Sequence, residues 1–170
     1  WDGNEWTKVK SPDIYHLNDI WGSSSDNIYA VVYSLSGNSR VIRYNGEKWS
    51  AISNELPNEK KGLISIWVDK TGKGYTVGTK TYSFVGNDFS SFSINKTSFL
   101  ECVRGSSSNN VFISGQYGGI HHYNGMDWKR YDELFSIENN ELNSMQVFEN
   151  HAFIVGYTNQ NTIIIRGERK

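Results

Sequence analysis

The short string YNGEKW at residues 44–49 returns, with drift, along the whole chain. WDGNEW stands at 1–6, FVGNDF at 84–89, YNGMDW at 123–128, and a worn copy, IRGERK, at 165–170. The glycines of these copies, Gly3, Gly46, Gly86, Gly125 and Gly167, lie roughly 40 residues apart. A fixed period of that length marks a repeat architecture, in which one supersecondary unit stacks on the next. Each copy reads as a tight hairpin: an aromatic or aliphatic strand end, a small polar residue, a glycine for positive φ, then a strand closed by an aromatic. Trp6, Trp49, Phe89 and Trp128 then share one position, each a large apolar plate available to fill the gap between neighbouring units.

Between the hairpins the residues are strand formers broken by polar turns. In the first unit residues 6–10 alternate in strand fashion, and LNDIW at 17–21, IYAVV at 28–32 and RVIRY at 40–44 follow. The second unit runs WSAIS at 49–53, LISIW at 63–67, YTVG at 75–78 and TYSFV at 81–85. FSSFSI at 89–94, LECVR at 100–104, VFISG at 111–115 and GIHHY at 119–123 form the third, and WKRY at 128–131, LNSMQV at 142–147, HAFIVG at 151–156 and NTIIIRG at 161–167 the fourth. Leu17, Leu63, Leu100 and Leu142 keep one register throughout, and only DELFSIE within 132–138 could turn helically. Four short antiparallel strands per repeat is the content of a β-propeller blade. The expected fold is all-β, a β-propeller of four-stranded antiparallel blades with four repeats in residues 1–170, read as a single domain. Runs such as IYAVV fit, because both faces of a blade pack on neighbours.

The ends bear on closure. Residues 4–10 can pair beside residues 161–167, tie the last blade to the first and remove an open edge. That is the expectation for a complete four-bladed ring. Trp1, Asp2 and Gly3 duplicate positions already filled by Ile165, Arg166 and Gly167, which instead suits a piece of a larger propeller.

Composition narrows the classes of function. Seventeen basic against eighteen acidic side chains, a net charge of −1, give no polyanion-binding surface of the nucleic-acid kind. No apolar run reaches the length of a membrane helix, so no membrane insertion is expected. The single cysteine, Cys102, excludes an internal disulfide and sits in an apolar run as a small buried hydrophobe.

The stretches IWGSSSDNIYAVV, with VIRYNGEKW after it, and VRGSSSNNVFISGQYGGIHHYNGMDW resemble the repeats of bacterial extracellular β-propellers, whose pattern runs Ile-x-Gly-Ser-Ser-x-x-Asp-Val-Tyr-x-Val-Gly and then Gly-x-Ile-x-x-Tyr-Asp-Gly-x-x-Trp. The likeness covers nearly the whole chain and is closest in the first and third units. More distantly, the repeats are similar to the Asp-box propellers of sialidases and to propellers that assist photosystem II assembly. An Asp box wants a leading serine, and Ile42 and His121 stand there instead. The resemblance implies an extracellular, periplasmic or cell-surface setting.

Chemistry is sparse. A sialidase-like site needs three arginines on a carboxylate with a tyrosine and an acidic partner. Arg40, Arg43, Arg104, Arg130, Arg166 and Arg169 are available, but Arg40, Arg43 and Arg166 fall on equivalent outer strands, where charge is solvated. Asp132, Glu133 and Glu138 share one loop and could form an acid pair. His121 and His122 point to opposite faces of a strand and cannot chelate one ion together. No cofactor and no metal site is expected. The better candidates lie where second-to-third-strand loops and blade connections gather: Tyr15, His16, Tyr33, Lys80, Gln116, Tyr117 and Tyr157. Tyrosine offers a stacking face and a hydroxyl together, which suits sugars or a protein hot spot. Trp21, Trp67, Arg104 and Gln146 share a register on the innermost strands and are expected to line the axis. The chain therefore reads as a non-enzymatic binding module for a protein or glycan partner, with a glycan-acting hydrolase of sialidase-like build as the alternative.

Overall fold

A computed structural model describes residues 3–12, 16–33, 38–54, 56–57, 62–94, 99–131, 140–159 and 161–169, and all regular structure among them is β. The first blade holds β1 (His16–Ser24), β2 (Asn27–Tyr33), β3 (Asn38–Tyr44) and β4 (Trp49–Ala51), with a short β5 (Leu56–Pro57) added to β3. The second is β6 (Leu63–Val68), β7 (Lys73–Gly78), β8 (Tyr82–Val85) and β9 (Asp88–Ser91). β10 (Leu100–Ser107), β11 (Asn110–Gly115), β12 (Ile120–Tyr123) and β13 (Trp128–Tyr131) form the third, and β14 (Glu141–Val147), β15 (His151–Tyr157) and β16 (Thr162–Glu168) the fourth. Neighbouring strands pair antiparallel in chain order. The chain is a β-propeller of four blades, as the repeats require.

The hairpins form as their residues dictate. Gly46, Gly86 and Gly125 take φ of 94°, 59° and 101°. The Asn45 side-chain oxygen accepts from the backbone N–H of Glu47 and Lys48, and Asn124 does the same for Met126 and Asp127. The worn copy departs from this pattern: Gly167 is no turn residue but pairs with Ala152 inside β16.

Each innermost strand bulges at an equivalent place, between Leu17 and Asp19, Leu63 and Ser65, Leu100 and Cys102, and Leu142 and Ser144, and β1 and β10 shift register again between Gly22 and Ser24 and between Gly105 and Ser107. The residue opposite that leucine is glycine in three blades for a steric reason. A Cβ on Gly115 would stand 2.3 Å from the Phe99 carbonyl oxygen. In the first blade the residue at the bulge, Asn18, reaches the following blade.

Packing runs first blade on second, second on third and third on fourth. Tyr29 and Val31 meet Leu63, Ile66 and Phe84 at the first junction, while Tyr75 and Val77 meet Leu100, Val103 and Val111 at the second. At the third, Phe112 and Cys102 meet Leu142, Met145 and Ile154. The hairpin aromatics fill the outer ends: Phe89 stacks on Phe84 with centroids 4.6 Å apart, and Trp128 meets Tyr75 edge-on at 5.9 Å. Cys102 is buried, and burial pushes its thiol up.

The inner strands are stitched by polar groups. Asn18 Nδ2 donates to the Leu63 carbonyl at 2.8 Å, and Trp21 Nε1 to the Val68 carbonyl at 2.8 Å. Arg104 crosses from the third blade to the first, where its Nη1 meets Asp19 Oδ2 at 3.0 Å. Asp19 also accepts from Ser65 Oγ and the Ile66 N–H, so one carboxylate pins three blades. Trp21 lies under the Arg104 guanidinium at 5.5 Å, and Trp67 is buried against Gly105. Trp21, Trp67, Arg104 and Gln146 share one register, opposite Tyr29, Tyr75, Phe112 and Phe153.

Two expectations need correction. Residues 4–10 form no strand and do not pair beside residues 161–167, so the fourth sheet holds three strands. They precede the first blade, which lies at the far end of the row from β16. Trp6 accordingly is not a packed plate like Phe89 and Trp128 but is exposed. The segment 132–138, with Asp132, Glu133 and Glu138, lies outside the described residues.

Candidate functional site

At one end of every blade stand the start of its first strand and the end of its second. Among the described residues, the sequence candidates all fall at this end, but on different blades. His16 and Tyr33 pair across β1 and β2 with ring centroids 6.4 Å apart. Lys80 follows β7 and lines a separate groove with Thr79, Tyr82 and Phe89. Gln116 and Tyr157 both meet Glu141 where the third blade joins the fourth, and Tyr117 follows Gln116 in the chain. Tyr15 lies outside the described residues.

The Gln116–Tyr157 group is built from backbone constraints. The Gln116 N–H donates to the Phe99 carbonyl, and Gln116 bridges antiparallel to Glu141 at the mouth of the junction. Tyr117 takes φ of 56°, the one described non-glycine residue with positive φ. Gly118 can then donate its N–H to the Asn140 carbonyl. A non-glycine residue in that region costs of order 1 kcal/mol and marks a loop held by its surroundings. The result is a Tyr117 ring held half-exposed.

Two carboxylates complete the group. Tyr157 donates its hydroxyl to Glu141 Oε2 at 2.6 Å, and that bond holds the phenol above its usual range. Gln116 Nε2 donates to Glu101 Oε1 at 3.4 Å. Sequence reasoning missed both glutamates. The signal was present in the repeat: Glu101 occupies the bulge after Leu100, and Glu141 immediately precedes Leu142. Beneath them the Asn140 side chain is 1% exposed with neither its nitrogen nor its oxygen hydrogen-bonded. The surface so formed offers two aromatic rings and a row of acceptors, chemistry that suits a partner rich in N–H or O–H donors.

The arginines that a sialidase-like site would gather stand on three different blades. Arg43 donates to Asn27 Oδ1 and covers the Tyr29 ring, Arg104 is paired with Asp19, and Arg166 bonds His151 and Glu168. His121 is buried; His122 stacks on Phe112 at 4.2 Å and bonds Asn110 Oδ1. Among the described residues no three His, Cys, Asp or Glu side chains gather as a metal would require. No described helix is long and apolar enough to cross a membrane.

Solved structures share this fold. YCF48 bound to D1 peptide superposes with a TM-score of 0.65 at 11% identity, over 98% of this chain and 59% of that one. YCF48 from Cyanidioschyzon merolae does so with a TM-score of 0.61 at 15% identity, over 97% of this chain and 60% of that one. At such identity the likeness is one of fold. The chain thus spans about three fifths of the length of the YCF48 structures it matches. No family model matches the sequence, and comparison with curated proteins finds no match.

Proposed function

We propose that this propeller is a non-enzymatic binding module that takes a protein partner, as an extended peptide segment, at the loop end of its third and fourth blades. The observation that carries this is the joint placement of Tyr117 and Tyr157 with Glu101, Gln116 and Glu141 on one rigid junction. Exposed tyrosines on a fixed scaffold make contact area at little entropic cost, and acceptor groups beside them select donors. Loops on rigid scaffolds tend to carry recognition. The binding of a D1 peptide by YCF48 adds support for the peptide class, through shared fold alone. A glycan is the second ligand class, since sugar hydroxyls meet the same rings and acceptors. An extracellular, periplasmic or cell-surface setting belongs to this reading and is tested by fractionating the producing cells.

The test is selection of the purified chain against a random-peptide display library and a glycan array in parallel. The expected result is enrichment of peptides bearing Lys or Arg, with binding lost in Tyr117→Ala and weakened in Glu141→Gln. Binders indifferent to both substitutions would place recognition elsewhere. Enrichment only on the array would move the ligand to the glycan class. Turnover of any arrayed glycan would revive the hydrolase.

A further inference from the structure

At the junction of the third and fourth blades one buried side chain has its polar groups unused. Asn140 is 1% exposed, and neither its Nδ2 nor its Oδ1 meets a hydrogen-bond partner. Asn110, the other buried asparagine among the described residues, is fully engaged. It donates to Ser106 Oγ at 2.7 Å, and its Oδ1 lies 2.9 Å from His122 Nε2. Leaving a buried amide unpaired forfeits its hydration with nothing in return, so a native chain carries few such groups. Asn140 is therefore costly to the free protein, and packing alone would be served better by an apolar residue of the same size.

The turn that closes onto Asn140 is itself weakly held. The Gly118 N–H donates to the Asn140 carbonyl at 3.3 Å, beyond the usual range for such a bond. Tyr117 and Gly118 take φ of 56° and 67°, two left-handed residues in succession, and only the second is a glycine. Both ends of the turn are anchored. Before it the Gln116 N–H donates to the Phe99 carbonyl at 3.0 Å, and after it Ile120 pairs with Tyr131. Three residues, Tyr117 to Gly119, thus span fixed points with one long bond to Asn140, and the Tyr117 ring is 51% exposed.

We propose that Asn140 binds the main chain of the peptide partner, and that the 117–119 turn is a cover which the peptide displaces to reach it; this rests on the peptide reading of the site given above. A carboxamide presents an N–H donor and a C=O acceptor side by side. One residue of an extended peptide presents the complement, its own C=O and N–H, along one edge, as a strand does to its neighbour in an antiparallel pair. The two can pair at two points and leave no group of Asn140 unsatisfied. Glu141, the next residue, holds the Tyr157 hydroxyl. Main-chain recognition and side-chain selection therefore fall on consecutive residues, the amide choosing an extended backbone and the carboxylate its donor side chains.

Opening gives up little. The turn loses the Gly118 bond, while Tyr117 leaves a conformation that favours glycine and its ring becomes free to lie along the peptide. The cost that the unpaired amide places on the closed form is recovered when the peptide meets it, so the difference between the two states favours the bound one. The same logic separates Asn140 from a residue kept only for packing. Leucine has nearly its size and needs no partner, so Asn140→Leu should suit the closed form better than asparagine does while offering the peptide nothing.

Thermal unfolding of Asn140→Leu, with titration calorimetry against a synthetic peptide selected on the wild-type chain, tests this. The expected result is a midpoint raised by about 2–4 °C and a peptide dissociation constant raised roughly ten-fold or more. A set of the same peptide N-methylated at one backbone position at a time gives a second readout that needs no variant protein. One position is expected to weaken binding to the wild type strongly and binding to Asn140→Leu hardly at all, as coupled partners do. A midpoint unchanged or lowered in Asn140→Leu overturns the proposal, since the amide is then satisfied in the free protein, by bound water. So does a peptide that tolerates N-methylation at every position. A peptide lost in Tyr117→Ala but indifferent to Asn140→Leu overturns the role of Asn140 and leaves the site's reading intact, whereas failure to select any peptide overturns both.

Discussion

The junction between the second and third blades and the bare face of the fourth blade are made from residues in one register, yet their physical states are opposite. Tyr75 lies under the next blade, ringed by Phe92, Tyr123 and Trp128 at 5.9–6.2 Å. Phe153, its counterpart, has Phe148 and His151 for neighbours and water beyond them. Nothing in the side chain itself differs enough to explain this. What differs is whether another blade follows, so a repeat unit's hydrophobic face acquires its stabilising value only from its neighbour.

The comparison can be broken most severely at the leucine register. Leu100→Ala is expected to cost about 3 kcal/mol, the usual loss for a fully buried leucine with its residual cavity. Leu17→Ala, in the same register at the open end, should cost well under half of that. Urea denaturation of the two variants measures the difference directly, and equal losses would mean that the first blade is covered after all.

A second break is steric. Gly115→Ala forces a Cβ toward the Phe99 carbonyl and is expected to cost about 2 kcal/mol, with the loss read in the same denaturation experiment. Val32, opposite Leu17, shows that the first blade accommodates a side chain at that register, so Val32→Gly should not bring a compensating gain.

The axial ion pair sharpens the comparison, because it ties the closed junctions and reaches neither open face. Asp19→Ala leaves the Arg104 guanidinium part-buried without its carboxylate, and a loss of about 2 kcal/mol is expected. The double variant with Arg104→Met should lose less than the two single losses combined, as a double-mutant cycle would show. Additive losses would mean that the pair is not coupled.

The smallest effect is expected at the outer end of the third junction. Burial holds the His122 imidazole below its ordinary range, with Arg169 and Lys129 adding to the effect. The unfolded chain therefore takes up a proton there first. Stability from this group is present above a pH of about 6.5 and declines as the pH falls through the window beneath it. Thermal midpoints between neutral and mildly acidic pH should fall less steeply in His122→Gln than in the wild type.

Much of this was legible in the chain. The Asn-Gly hairpins, the strand runs and the leucine register are local, and each local preference agrees with the others. Gly46 and Gly125 take positive φ because nothing else in those turns can do so as cheaply. The site was only half legible. Gln116, Tyr117 and Tyr157 stand on loops that any blade would present, but Glu101 joins them through a bulge, a one-residue irregularity with no composition of its own. His16 and Lys80, chosen by the same rule, lie on other blades.

The sequence by itself determined the period, the antiparallel order within each blade and which side chains face a neighbour, because these follow from spacing along one strand or across one turn. Only the tertiary structure decided that Arg104 reaches Asp19 across a whole intervening blade. It alone decided that Trp6 is exposed while Trp128 is packed, and that Leu17 is wet while Leu63 is dry. Identical patterns cannot report their own position in the row. The difference lies in what stands beside them, a fact of assembly and not of local preference.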